Sequence, residues 1–123
     1  MSEVTLAAAV EQFNVQEFYA CHDILEAMWV EALEPDKTFY QGMLQVAVGC
    51  YHLQNLNWRG AATLLGEGLR RLRGYQPDYQ QIDVTQLFEQ SLTLLETVQQ
   101  TPPEALSEVA APLPQICWLI ETA

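Results

Sequence analysis

The chain has 123 residues, half of them apolar and 17% charged against a usual quarter. This excludes a disordered or solvated tail and leaves room for one core of ordinary size. Sixteen acidic against five basic residues give a formal net charge of -11, a surface that repels phosphate backbones and anionic headgroups, so no nucleic acid and no membrane is expected as a partner.

Met1-Ser2-Glu3-Val4 lacks the basic start and apolar stretch of a signal peptide, and no run approaches the roughly 18 apolar residues of a membrane span, so a cytoplasmic location is expected. Helical periodicity dominates without sustained β alternation, which predicts an all-α fold. A short helix is expected from Val4 to Phe13, with Asn14 suited to the break, and a longer one from about Val15 to Ala32. Glu34-Pro35-Asp36-Lys37 makes a tight connection. A third helix from about Thr38 to Leu56 and a fourth from about Trp58 to Arg73 are separated by Asn57, which tolerates the left-handed conformation of such a corner. Gly74 and Pro77 end the fourth helix, and Tyr75 to Ile82 reads as a polar loop. Asp83 and Gln86 have the spacing of a capping box for a helix over about 83–99. Thr101-Pro102-Pro103-Glu104 repeats that signal for a short helix over about 101–110, ahead of Pro112, Pro114 and an apolar tail, Ile116 to Ile120.

Short loops predict antiparallel neighbours in a bundle of five to six helices, a single helical domain over 1–123. The helix over 38–56 should be central, because Met43, Leu44, Val46, Ala47, Val48, Cys50, Tyr51 and Leu53 leave it almost no polar side. Gly42, Gly49, Gly60, Gly66 and Gly68 each cost up to about 1 kcal/mol relative to Ala, a cost that close helix approach would offset. Cys21, Cys50 and Cys117 are odd in number, widely spaced and flanked by apolar residues, which fits buried thiols rather than a disulfide framework. Cys21 and His22 are neighbours on a helix and point about 100° apart, which disfavours a thiol–imidazole pair.

One polar constellation stands out. A helical wheel puts Phe18, Cys21, Leu25, Trp29 and Ala32 on one face of the second helix, with His22 inside that face and Glu26 at its edge. On the third helix Gln41, Gln45 and His52 line one edge of an apolar cylinder. In an antiparallel hairpin about Pro35, facing residues have numbers summing to roughly 70, which levels Glu26 with Gln45 and sets His22 about one turn from His52. A buried carboxylate or imidazole must be paired. The cluster therefore reads in three ways: a structural network with Glu26 accepting from His22 and Gln45, a divalent metal site of His22, Glu26 and His52, or acid–base catalysis by Glu26 and His22. Its spacing matches neither the Glu-x-x-His pairs of di-iron bundles nor the His-Glu-x-x-His of zinc proteases. Four of the five bases fall on the fourth helix, Arg70, Arg71 and Arg73 in its last turn, where they are either a solvated helix end or an anion patch. Trp29, Trp58 and Trp118 read as core or hinge anchors.

Phe13-Asn14-x-x-Glu17-Phe18-x-x-x-His22-Asp23-x-x-Glu26-x-x-Trp29, then Phe39-x-Gln41-Gly42-x-x-Gln45-x-Ala47-x-x-x-Tyr51-His52 and Asn57-x-x-Gly60-Ala61-x-x-Leu64-Leu65, resemble the bacterial family called domain of unknown function 309 over about residues 11–77. The resemblance implies a small all-helical cytoplasmic fold with no established activity, and its motif maps onto Glu17, His22, Glu26, Trp29, Gln41, Gly42, Gln45, His52, Asn57 and Gly60. The family usually has His-Glu where this chain has His22-Asp23, and Gly-Asn where it has Leu56-Asn57. The third and fourth helices are also similar to one tetratricopeptide-type hairpin, an analogy that favours a binding class.

These readings converge on a binding or interaction module with a protein or small-molecule partner and a polar cluster of Glu17, His22, Glu26, Gln41, Gln45 and His52. The alternative is a metal-assisted hydrolase using His22, Glu26 and His52. No cofactor is expected under the first reading; a divalent metal belongs to the second.

Overall fold

The computed structural model describes residues 4–109 and 111–119. It is all-α apart from one small hairpin: α1 Leu6–Asn14, α2 Phe18–Glu31, α3 Asp36–Gln54, α4 Trp58–Leu72 and α5 Val84–Gln100, with β1 Asp78–Tyr79 and β2 Ile82–Asp83 between the last two helices. No helix of the described residues is long and apolar enough to cross a membrane.

The hydroxyl of Thr5 caps α1 by accepting from the Ala8 amide at 3.1 Å. The break after α1 lies later than Asn14: Asn14 stays helical, and the turn is made by Gln16 at φ 67. Asn14 is used elsewhere. Its side chain accepts from the Ile116 amide at 2.8 Å and donates to the Ile116 carbonyl at 2.9 Å, clamping the C-terminal segment against α1. At the start of α3 the Glu34 carboxylate accepts from the Thr38 hydroxyl at 2.7 Å and the Thr38 amide at 2.9 Å, and these bonds hold it below the ordinary glutamate range.

As expected, α3 is central, packed against α2 on one side and α4 on the other. The second contact is the closer. A Cβ placed on Gly68 of α4 would lie 2.8 Å from the Gly42 carbonyl oxygen and 2.9 Å from the Val46 amide nitrogen of α3. One placed on Gly49 would lie 2.8 Å from Leu65 Cγ. Close approach thus accounts for Gly42, Gly49 and Gly68. It does not account for Gly66, where a Cβ would meet only Leu95, at 4.0 Å.

The corner between α3 and α4 differs from expectation by one residue. Leu56, not Asn57, adopts the left-handed conformation, with φ 58. Asn57 instead caps α4, its Oδ1 accepting from the Gly60 amide at 3.0 Å. A cap needs a side-chain oxygen, so the asparagine is better used there than in the turn.

The segment expected to be a polar loop contains the antiparallel hairpin β1–β2, closed by Gln80 and Gln81 at φ 49 and φ 69. Positive φ at both central residues is the type I′ pattern, which Asn-Gly would have signalled and Gln-Gln does not. Three tyrosines fasten this region to the start of α3. Tyr75 donates to the Pro35 carbonyl at 2.6 Å, Tyr79 donates to Asp36 at 2.5 Å, and Tyr40 shares a bond with the Gln80 amide. The Asp36 bond, burial and the nearby negative charge push the Tyr79 hydroxyl up to about 12.

Asp83 caps α5 by accepting from the Gln86 amide, but its own amide donates to the Cys117 carbonyl, so the second half of the expected capping box goes to the tail. The box at Thr101 does not form: the Thr101 hydroxyl donates back to Thr97, and residues Pro103–Glu108 make a 3-10 helix with Pro102 at its cap. Ile116 is buried, Trp118 pairs with Ile82, and Leu119 donates to Gln81, so the tail forms a strap across the hairpin and α1. Ile120 lies outside the described residues.

Two outcomes follow for stability. Gly66→Ala should gain about 0.5–1 kcal/mol from helix propensity, whereas Gly68→Ala should lose about 2 kcal/mol or more by forcing two backbones apart, both read from urea unfolding. Because Tyr79 titrates higher in the folded state than in the unfolded chain, the folded state holds its proton longer and stability should fall as pH rises from about 10 to 12. Tyr79→Phe should reduce that slope; an unchanged slope would reject the assignment.

Candidate functional site

The register expected for α2 against α3 is present, but the polar seam does not meet in one place. Phe18, Tyr19, His22, Val48, Tyr51 and His52 line one cleft, with Tyr19 of α2 against Tyr51 of α3. The seam divides by rotation about the α3 axis, which a level-pairing rule does not fix.

Gln45 turns to α4. It is buried, its Nε2 donates to Glu67 at 3.2 Å, and its Oε1 accepts from Arg71 at 3.1 Å. Glu67 and Arg71 are four residues apart on α4, and the primary amide satisfies both with its donor and acceptor ends. Glu26 does not accept from Gln45. Its side chain is 56% exposed, and its Oε2 lies 3.8 Å from His22 Nε2. His22 Nδ1 lies 3.3 Å from Asp23 Oδ1, on an aspartate that is itself exposed. Glu17 is exposed at the N-cap of α2 and makes no side-chain cap bond. Gln41 is half-buried.

His52 belongs to the α3–α4 corner as well as to the cleft. The Asn57 Nδ2 donates to its Nδ1 at 3.3 Å, which in the neutral ring leaves the proton on Nε2. A Cβ on Gly60 would lie 2.6 Å from Asn57 Nδ2 and 2.8 Å from the imidazole. His52, Asn57 and Gly60 are therefore one interlocked unit. His22, Glu26 and His52 do not converge as metal ligands: among the described residues no three His, Cys, Asp or Glu side chains form such a group. The physical reason is azimuthal, since Glu26 leans outward on α2 and the Nδ1 of His52 is engaged by Asn57.

The cleft encloses about 160 Å³. Tyr19 and Tyr51 stand 5.4 Å apart between ring centroids, Tyr19 and His22 5.6 Å, Tyr51 and His52 6.1 Å. Tyr19 is 57% exposed at the mouth, and Phe18 is buried at the base against Phe13. The two tyrosines were not among the expected site residues. The level-pairing rule already set Tyr19 opposite Tyr51, and that was the signal available.

The arginines do not form one patch. Arg71 is held by Gln45, while Arg70 and Arg73 line a separate groove of about 620 Å³ between α4 and α5. Cys21 and Cys50 are free and fully buried, with Cys117 free and half-buried. Burial pushes the Cys21 thiol up to about 12 and also raises that of Cys50, next to Cys21, so neither is a thiolate at neutral pH. Trp58 is an anchor: its Nε1 donates to the Val98 and Thr101 carbonyls at the end of α5. Trp29 lies under Lys37 Nζ, 4.5 Å from the ring centroid, and Trp118 is 39% exposed.

Residues 6–64 match the model of the family described as domain of unknown function (DUF309). The DUF309 match covers α1 to α3 and the first half of α4, starting earlier and ending earlier than the resemblance over 11–77. A stretch of 65 residues, 52% of this chain, is 34% identical to the uncharacterized protein YpuF of Bacillus subtilis (strain 168). It covers 37% of that relative, so the chain spans little more than a third of the relative's length. Of the motif residues that carried the resemblance, Phe18, His22, Tyr51 and His52 line the cleft. Asn57 and Gly60 build the corner beneath His52.

The energetic weight of the seam therefore sits at Gln45 rather than at Glu26. Gln45→Leu should cost about 1–2 kcal/mol because two charged partners lose their bonds. Glu26→Gln should stay within about 0.5 kcal/mol, as an exposed substitution does. Equal losses in urea unfolding would contradict the division of the seam.

Proposed function

We propose that the chain is a binding module of the cytoplasm and that its ligand seat is the cleft between α2 and α3. The observation that carries this reading is the convergence on one aromatic-walled cavity of Phe18, His22, Tyr51 and His52, all within the stretches that carry the family resemblance and two of them, His22 and His52, in its motif. The size supports binding through a single anchoring group. At about 160 Å³ the cleft is smaller than the roughly 300–1,000 Å³ of small-molecule sites, and it suits one side chain of a partner whose remaining contacts lie on the surrounding surface. Three free cysteines fit a reducing compartment.

The reading is tested by NMR titration with capped Gly-X-Gly tripeptides, X being Leu, Phe, Lys or Arg. Shift changes at residues 18–22 and 48–52 are expected for at least one probe, and Val48→Trp, which fills the cavity, should abolish them while the fold remains intact by thermal melting. No response at the cleft to any probe, or an unchanged response in the filled variant, would overturn the proposal.

A further inference from the structure

The walls of the cleft are aromatic, and two carboxylates, Asp23 and Glu26, stand beside the His22 that lines it. Phe18, Tyr19 and Tyr51 present rings, and the imidazoles of His22 and His52 continue the wall. Tyr19, His22 and Glu26 follow one another at i, i+3 and i+7 along one stripe of α2, and Glu26, which leans outward and does not line the cleft, reaches its margin through the 3.8 Å contact with His22. That carboxylate is more than half exposed and has only the 3.8 Å contact with His22. No lysine or arginine among the described residues lies within ion-pair distance of a described carboxylate. Lys37 sits over Trp29, and Arg71 is spent on Gln45. Among the described residues the Glu26 and Asp23 carboxylates thus have His22 beside them but no lysine or arginine counter-cation, on a chain of net charge -11.

Aromatic faces attract cations through the ring quadrupole, and a nearby carboxylate adds to the attraction. The type of cation follows from the lining. The walls are almost wholly apolar and offer little to replace the tight hydration of an ammonium group. A guanidinium is weakly hydrated, stacks flat on rings, and keeps an edge free for bidentate pairing with a carboxylate. Resting on the reading of the cleft as the ligand seat, we infer that its occupant is the guanidinium of an arginine on a basic partner protein, stacked at Tyr19 and Tyr51 and paired with Glu26. The acidic surface around the cleft steers such a partner towards it.

The test compares capped Gly-Arg-Gly with its citrulline counterpart, which has the same shape without the charge, and with Gly-Lys-Gly, which has the charge without the plane. Arginine should bind at least about fivefold more tightly than either, by NMR shifts at residues 18–22 and 48–52. Tyr19→Leu, at an exposed position, should remove the preference while leaving an apolar seat, and Glu26→Gln should reduce it. Citrulline or lysine binding as tightly as arginine, or a preference unchanged in Tyr19→Leu, would overturn the inference and leave the binding reading standing. Binding by none of these peptides, nor by the leucine and phenylalanine probes, would overturn both.

Discussion

The contact on which the rest of the molecule depends is backbone against backbone. Gly68 of α4 rests on the Gly42 carbonyl and the Val46 amide of α3 with no room for a methyl group. At that distance the two helices gain dispersion along their whole shared length, which offsets the poor helix propensity of the glycines. With α4 pressed this close and α2 on the other flank, α3 keeps one half-buried edge, and Gln41, Val48 and His52 lie along it. The cleft and the Gln45 bridge are both consequences of where that edge falls.

Much of this was legible in the sequence. Apolar periodicity marked all five helices, the apolar circumference of α3 marked it as central, and equal rise per residue gave the level of each α2 residue against α3. Rotation about the axis was not legible. Glu26 and Gln45 were expected to meet, yet Glu26 is exposed and Gln45 turns to α4, because the deciding partners, Glu67 and Arg71, come from a helix outside the hairpin. Local turn chemistry misled in two places. Asn57 was the expected left-handed residue, but its oxygen caps α4 and the strain falls on Leu56, where the resembled family usually has glycine. Gln80-Gln81 carries no turn signature, and its hairpin is held from outside by tyrosine hydroxyls.

The corner after α3 couples structure to the candidate site. Asn57 uses one end of its amide to cap α4 and the other to fix the His52 ring, and Gly60 leaves the space that the ring fills. The residues that carry the family resemblance thus include some that line the cleft and some that hold a lining residue in place. His52 belongs to both. Its imidazole is oriented by the Asn57 side chain at the corner rather than by another side chain of the cleft.

The clamp between Asn14 and Ile116 joins groups 102 positions apart in the chain. Closing a loop of that span costs more entropy than closing the α2–α3 or α3–α4 turn. Until Ile116 arrives, the amide of Asn14 and the apolar groove that receives the isoleucine stay open to water. During synthesis this means that the packing of the first helix waits for a residue that follows it by 102 positions.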